Sequence, residues 1–275
     1  MSTPITQAEK AQRFRLLHAG PAPFILPNPW DGGSARLLAS AGFEALATSS
    51  WAAAASLGRR DGALSRDEAL RHARQVVEST DLPVSGDLEN GFGASAEAVA
   101  LTLRQAAEVG LVGASIEDAT GDPGAPLFPL ELAIERIEAA VSVARSLPFP
   151  FVLTARAEGL IRGRPDLRDI IRRLQAFEAA GADVLFAPGL KDLASIETVC
   201  RSVGKPVNVM NALPQPFSVE QLANAGVRRI SVAAALYRRA LAGVHAAAVE
   251  MRRTGTFSFV AEALPSADVS AFLQP

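Results

Sequence analysis

Short apolar runs of strand length alternate along the chain with longer stretches in which apolar residues recur every three to four positions. Four of the runs follow a glycine that closes a helical stretch: AGFEALATSS after Gly42, VGLVGASIED after Gly110, AGADVLFAPG after Gly181 and AGVRRISVAA after Gly226. Glycine accepts the left-handed backbone that ends a helix, and the chain then enters a strand. Three more runs follow a proline, at 83–88, 149–158 and 205–210, and PFILPN at 23–28 comes first. None alternates with polar residues, the pattern of parallel strands buried on both faces. Amphipathic stretches over 33–41, 66–79, 95–109, 130–146, 166–180, 191–203, 218–225 and 234–252 predict the helices between them. Ser65, Ser95, Asp166 and Ser218 stand where an N-cap accepts the free amides of a first turn.

Eight strand–helix units in strict alternation predict an α/β fold, a (β/α)8 TIM barrel over residues 1–253. No G-x-G-x-x-G follows an early strand, which removes the main support for a dinucleotide fold. The ring of eight helices closes without residues 254–275, whose Phe257, Phe259 and Phe272 need burial. This C-terminal helical extension is expected to pack on a neighbouring subunit.

Composition narrows the partners. The 275 residues are 49% hydrophobic and carry a formal net charge of −2, enough for a large core and no sign of a nucleic-acid partner. The N-terminus lacks the apolar stretch of a signal peptide, and no segment is long and apolar enough to span a bilayer. A single cysteine, Cys200, excludes an internal disulfide and suits a reducing cytoplasm. It lies on the helix before strand 7 and reads as a buried small apolar residue.

In a barrel the chemistry gathers at the C-terminal ends of the strands. Those ends carry Asn28 and Asp31, Ser49 and Ser50, Asp87 and Glu89, Glu117 and Asp118, Arg156 and Glu158, Pro188, Asn208, and Ser231. Carboxylates on neighbouring strands repel unless a cation or proton holds them, and oxygen-only ligands favour Mg2+ or Mn2+ over Zn2+. Arg156 beside them offers a planar fork for a substrate carboxylate. Taken singly, Asp31, Asp118 and Glu158 read as caps or solvated loop residues.

What is missing shapes the reading further. The lysines are Lys10, Lys191 and Lys205, none at a strand end, so a Schiff-base aldolase has no amine to use. His18, His72 and His245 fall within predicted helices, and neither Ser-His-Asp nor Cys-His catalysis finds its parts at the mouth. The loops after strands 7 and 8 lack a Gly-rich phosphate cradle. A small carboxylate is the expected ligand.

GDLENGFG at 86–93, GASIEDAT at 113–120 and LTARAEG at 153–159 give the chain a nearly full-length resemblance to the isocitrate lyase/phosphoenolpyruvate mutase superfamily. The resemblance implies a Mg2+ site at Asp87, Glu89 and Glu117, with Mn2+ as the alternative ion, and Arg156 on the substrate. It implies that Ser49 and Ser50, with Trp51 after them, bind a carboxylate or enolate oxygen through backbone amides, with Asn208 also at the substrate. Asp61, in GRRDG, matches an acid brought from the loop after strand 2, and Asp61, Glu117 and Arg156 are the implied catalytic residues. Family members form tetramers that exchange their last helices, so a homo-oligomer, a dimer of dimers, is expected. The lyases' loop with a catalytic cysteine, K-K-C-G-H, is replaced here by ATGDPGAPLFPLEL, without Cys, His or Lys.

Three functions stay open on these residues. One is Mg2+-dependent C–C bond cleavage or formation in small 2-oxo or 2-hydroxy carboxylates through an enolpyruvate intermediate, as in a lyase or an oxaloacetate decarboxylase. The second is P–C bond chemistry, as in a phosphoenolpyruvate or phosphonopyruvate mutase or hydrolase. The third, from another class, is a non-catalytic carboxylate-binding barrel.

Overall fold

A computed structural model describes residues 5–273. Eight parallel strands, β1 (Phe24–Leu26), β2 (Leu46–Ala47), β3 (Val84–Asp87), β4 (Gly113–Glu117), β5 (Val152–Arg156), β6 (Val184–Phe186), β7 (Val207–Met210) and β8 (Arg229–Ser231), form one sheet in the order β1-β8-β7-β6-β5-β4-β3-β2. No ladder joins β1 to β2. The seam closes instead on one backbone bond, Ala47 N to Pro27 O at 3.0 Å. The buried amide of Asn28 reinforces it, donating to Ala47 O and Thr48 O at 3.1 and 3.0 Å while accepting from Val232 N at 3.0 Å. The strand-end residue Asn28 therefore stitches three strands together.

Eight helices lie where the periodicity predicts them: α2 (Gly32–Ser40), α4 (Arg66–Glu78), α5 (Ala96–Glu108), α6 (Leu130–Ser146), α7 (Leu167–Ala179), α8 (Leu193–Ser202), α9 (Val219–Asn224) and α10 (Ala235–Thr254). Helices α1 (Gln7–Ala19), α3 (Ser50–Ser56) and α11 (Ser266–Leu273) lie outside those stretches. Ser65, Ser95, Asp166 and Ser218 all cap as expected, each accepting an amide of its helix's first turn. Asp31 is likewise the cap of α2. The main core lies between strands and helices, with Leu46, Leu103, Ile116, Leu153, Leu174 and Leu185 almost wholly buried. A second cluster plugs the barrel's N-terminal end, where Phe14 of α1 meets Phe24, Val112, Val152 and Val184. Burying Phe14 alone contributes about 1.5–3 kcal/mol.

Two features depart from the sequence reading. The segment after Ser49 is not only a turn but the short helix α3, capped by Ser49 Oγ on Ala52 N at 3.3 Å. The helical ring is also not complete: past its first turn, where Leu236 packs on the core and Tyr237 on Trp30 and Trp51, α10 is largely exposed, so the unpartnered apolar surface begins near residue 238 and not at 254. Leu241, Val244 and Met251 on α10 are exposed, as are Phe257 and Val260 beyond it. At the far end α11 lies against α2 of its own chain, where Arg36 Nη1 donates to Leu273 O at 2.8 Å. Among the described residues no helix is long and apolar enough to cross a membrane.

Candidate active site

Strands 2 to 5 deliver acids and one arginine to a cavity of about 390 Å³ at the C-terminal mouth of the barrel. Ser49, Ser50, Trp51, Asp61, Asp87, Arg156 and Asn208 line it together. Glu89 and Glu117 do not line it. Glu117 lies behind Arg156, and Glu89 sits under the loop that carries Asp61, where Gly62 approaches its carboxylate.

Arg156 is the centre of the arrangement. Its Nη1 stands 3.6 Å from Asp87 Oδ1, and its Nε is 3.5 Å from Glu117 Oε2 and bonded to Glu158 Oε1. Burial opposes the charge, but Glu158, Glu117 and Asp87 outweigh it and hold the guanidinium pKa above its ordinary value. Its face lies over the Phe186 ring, 5.1 Å from the centroid. A second arginine, missed in the sequence, completes the charge balance. Arg162, just past the 3-10 turn Gly159–Ile161, donates to Glu158 Oε2 at 2.9 Å and to Glu117 Oε1 at 3.2 Å. Its signal, one turn after a strand-end Glu, is too common to stand out.

The turn after Asp87 explains its own spacing. Glu89 and Phe92 take positive φ values of 49° and 58°, and Gly91 one of 79°. A side chain at Gly93 would meet Ala98 Cβ at 2.5 Å, so the backbone there can only be glycine's. The carbonyls of this turn point at Arg136 of α6, whose Nη1 donates to Gly93 O and Ala94 O at 2.6 Å each and whose Nη2 is bonded to Asn90 O. This fully buried arginine was not legible in the sequence, because nothing local to α6 marks which carbonyls will face it.

Of the other predicted residues, Ser50 N donates to Asp87 Oδ2 at 2.9 Å, so this amide holds the carboxylate and is not free for substrate. Burial, followed by repulsion from Asp87, raises the pKa of Asp61 against the opposing pull of Ser50 and Arg156. Asn208 bridges Ser231 Oγ at 3.0 Å and Arg229 Nε at 2.9 Å. Asp118 serves the scaffold, accepting from Glu158 N at 2.8 Å and from Arg173 at 3.1 Å. His18, His72 and His245 lie on α1, α4 and α10; none of them lines the cavity, though His18 lies behind Arg229, which does. Cys200 is half-buried and its thiol is pushed up to about 11 by burial. The loop 119–130 folds as a small hairpin through an Ala119–Leu127 bridge, held by Thr120 Oγ1 on Ala125 O at 2.6 Å.

Whether these residues suit a divalent cation is a question of charge. Five carboxyl groups, Asp61, Asp87, Glu89, Glu117 and Glu158, face only the guanidiniums of Arg156 and Arg162. Burial, then Asp87 and Asp61, raise Glu89 to about 7, and burial also raises Glu117 against the pull of Arg156. Such an excess of oxygen donors fits a hard cation. Among the described residues no three His, Cys, Asp or Glu side chains are grouped closely enough to hold one directly. The fit is therefore to an ion that keeps much of its water, as Mg2+ does.

Comparison with known proteins decides the lineage. Residues 14–252 match the sequence profile of the phosphoenolpyruvate phosphomutase family. The chain belongs to this family. It is thus an enzyme of the isocitrate lyase/phosphoenolpyruvate mutase superfamily, whose members include lyases and mutases. The 2-methylisocitrate lyase of Escherichia coli K12 is 32% identical over 236 residues, 82% of this chain and 76% of the relative. An oxaloacetate decarboxylase of Bradyrhizobium diazoefficiens is 30% identical over 227 residues, 80% of this chain and 77% of the relative. Among solved structures, a candidate lyase/mutase from Burkholderia cenocepacia J2315 superposes with a TM-score of 0.96 at 52% identity, covering 98% of this chain and 97% of that one. A phosphonopyruvate hydrolase in complex with oxalate and Mg2+ follows at a TM-score of 0.86 and 27% identity, covering 96% and 94%.

Proposed function

We propose that this phosphomutase-family enzyme cleaves or forms a C–C bond in a small 2-oxo or 2-hydroxy carboxylate, as a lyase or an oxaloacetate decarboxylase does. The observation that carries the reading is Arg156, a buried guanidinium held by three carboxylates with its Nη1 edge beside Asp87 at the cavity. Mg2+, held through the Asp87, Glu89 and Glu117 carboxylates, would supply positive charge for an enolate oxygen.

The chain's own residues account for the rest. Arg156 binds the substrate carboxylate in bidentate geometry and fixes its plane. The Glu117 and Glu158 carboxylates keep that guanidinium from swinging toward solvent. Asp61 faces the cavity, where burial and then repulsion from Asp87 shift its carboxyl toward the protonated form, which suits it to pass a proton. When a 2-oxo acid loses CO2, the electron pair of the broken bond forms the enolate and Asp61 protonates its carbon, giving the product 2-oxo acid. With a 2-hydroxy acid, ionised Asp61 takes the hydroxyl proton as the C–C bond breaks and the carbinol becomes the 2-oxo acid. The same proton then returns to the carbanion of the other fragment. No side chain of the 119–130 hairpin is needed for this route, in keeping with its lack of Cys, His and Lys. P–C bond chemistry is the weaker reading, because the cavity offers no Gly-rich cradle for a phosphoryl group.

We further propose a homo-oligomer in which a neighbouring subunit covers α10. Leu241, Val244, Ala248 and Met251 repeat at spacings of three, four and three, the stripe of helices that pack lengthwise on one another.

The deciding experiment supplies Mg2+ with oxaloacetate, alkylmalates, 2-methylisocitrate or phosphonopyruvate and follows pyruvate and phosphate release. Pyruvate from a carboxylate substrate, lost on Asp61→Asn, is the expected result. Turnover of phosphonopyruvate alone, with phosphate released, would replace this reading with P–C chemistry.

A further inference from the structure

The cavity does not stop at the carboxylates; it continues into the barrel, where small polar side chains share the wall with Leu26, Phe186 and Met210. Ser85, Ser115, Asn208 and Ser231 line it where barrels ordinarily stack large branched side chains. Arg229 of β8 closes its inner end. It is only 4% exposed, yet among the described residues it has no carboxylate within ion-pair distance. Its Nε donates to Asn208 Oδ1 and its Nη2 to Thr154 Oγ1, both at 2.9 Å. Its Nη1 faces His18 Nε2 at 3.4 Å. His18 Nδ1 donates to Phe14 O at 2.8 Å, and because Arg229 Nη1 can only donate, Nε2 facing it is the acceptor of a neutral ring. All three partners are uncharged. Of the other guanidiniums buried near the mouth, Arg156 and Arg173 rest against acids, and Arg136, which lines no part of this cavity, is satisfied by three backbone carbonyls.

A buried, unpaired charge is costly, and the fold has kept one facing a partly polar, hollow interior. Five N–H donors meet three neutral acceptors, which leaves capacity for an anion. We infer that Arg229 is the counter-ion of a second substrate carboxylate, so that the enzyme takes a dicarboxylate whose far end enters the barrel. This rests on the reading that Arg156 holds the near end. The two arginines share one hydrogen-bonded row, Arg156–Phe186–Asn208–Arg229. Three strand spacings separate them, about 14 Å along the wall, and both side chains line the same cavity. The row runs obliquely because barrel strands tilt, and Arg229 lies at its deep end, beside His18 and the Phe14 plug. A carboxylate pinned against a guanidinium stays ionised and is hard to release as CO2. The inference therefore favours a bond broken between the two carboxylates over simple decarboxylation.

Calorimetry on the full chain with Mg2+ tests this with matched ligands. Oxalate reads the near end alone. Oxaloacetate, 2-oxoglutarate and 2-oxoadipate are compared with 2-oxobutyrate, 2-oxovalerate and 2-oxohexanoate, in which a methyl replaces the far carboxylate. At least one dicarboxylate should bind about tenfold or more tighter than its methyl-ended partner. Arg229→Met should erase that advantage while oxalate affinity changes by less than about twofold, and Arg229→Lys should restore part of it. Oxalate binding without any dicarboxylate advantage in the wild type would overturn the role of Arg229 and leave Arg156 standing. Failure of oxalate to bind the wild type would overturn both. A variant that weakens oxalate and dicarboxylates equally, with a lowered Tm, would make Arg229 a structural residue only.

Discussion

Arg156 and Arg136 are both buried arginines, and their partners separate their roles. Arg156 meets acids at the cavity; Arg136 meets only backbone carbonyls. Arg156→Lys should leave the fold and Mg2+ binding intact while kcat/KM falls about 30- to 1,000-fold, roughly 2–4 kcal/mol, because a point charge cannot reproduce the fork. A lower Tm with near-normal kinetics would mark Arg156 as a balancing charge instead. Arg136→Met strands the carbonyls of residues 90, 93 and 94, and urea titration should read a loss of about 3–5 kcal/mol. Glu89 has a pH signature of its own. Its folded pKa of about 7 lies above the ordinary 4.5, so between those values the folded chain holds a proton that the unfolded chain releases. Its contribution is fully present below pH 4.5 and is lost as pH rises through 7. Mg2+ binds the ionised form, so the Tm gain from Mg2+ should be larger at pH 8 than at pH 6, and smaller in Glu89→Gln at pH 8.

At the scale of elements, α1 is both plug and pH sensor. Burial, then Arg229, lower His18 to about 3 from 6.5. Between those values the unfolded chain binds a proton that the folded one refuses. The stability is whole above pH 6.5 and declines as pH falls toward 3, by about 1.4 kcal/mol per pH unit at most. Thermal unfolding should therefore show wild type losing Tm from pH 6.5 to 5 more steeply than His18→Gln. The seven ring helices that pack on the barrel were legible because their apolar faces and caps are written locally. The helix α3 was not: AAAA in SWAAAAS has no polar face to show a period, and the seven-residue segment forms only because Ser49 caps it and Asp87 anchors Ser50 N.

For the molecule as a whole, the open question lies along α10. With none of its residues buried, a charge placed there costs the isolated barrel little. Val244→Asp and Leu241→Glu together should split a homo-oligomer in sedimentation velocity while the circular dichroism of the barrel is retained. Sedimentation of the wild type as a monomer would remove the assembly proposal.

The alternation of strand and helix determined the barrel, since each unit's period and caps depend on neighbours in sequence. The D-x-E, I-E-D and A-R-A-E motifs located the acids and Arg156, because they stand at the C-terminal ends of parallel strands that all finish at one mouth. Tertiary structure alone decided which groups meet. It set Glu117 and Glu89 behind the cavity wall, gave Ser50's amide to Asp87, and brought Arg162 and Arg136 to partners some 45 residues away in the chain. It also left Arg229 without an acid, beside a histidine 211 residues away. Such pairings depend on the barrel's register and tilt, and these are set by the closure of all eight strands at once.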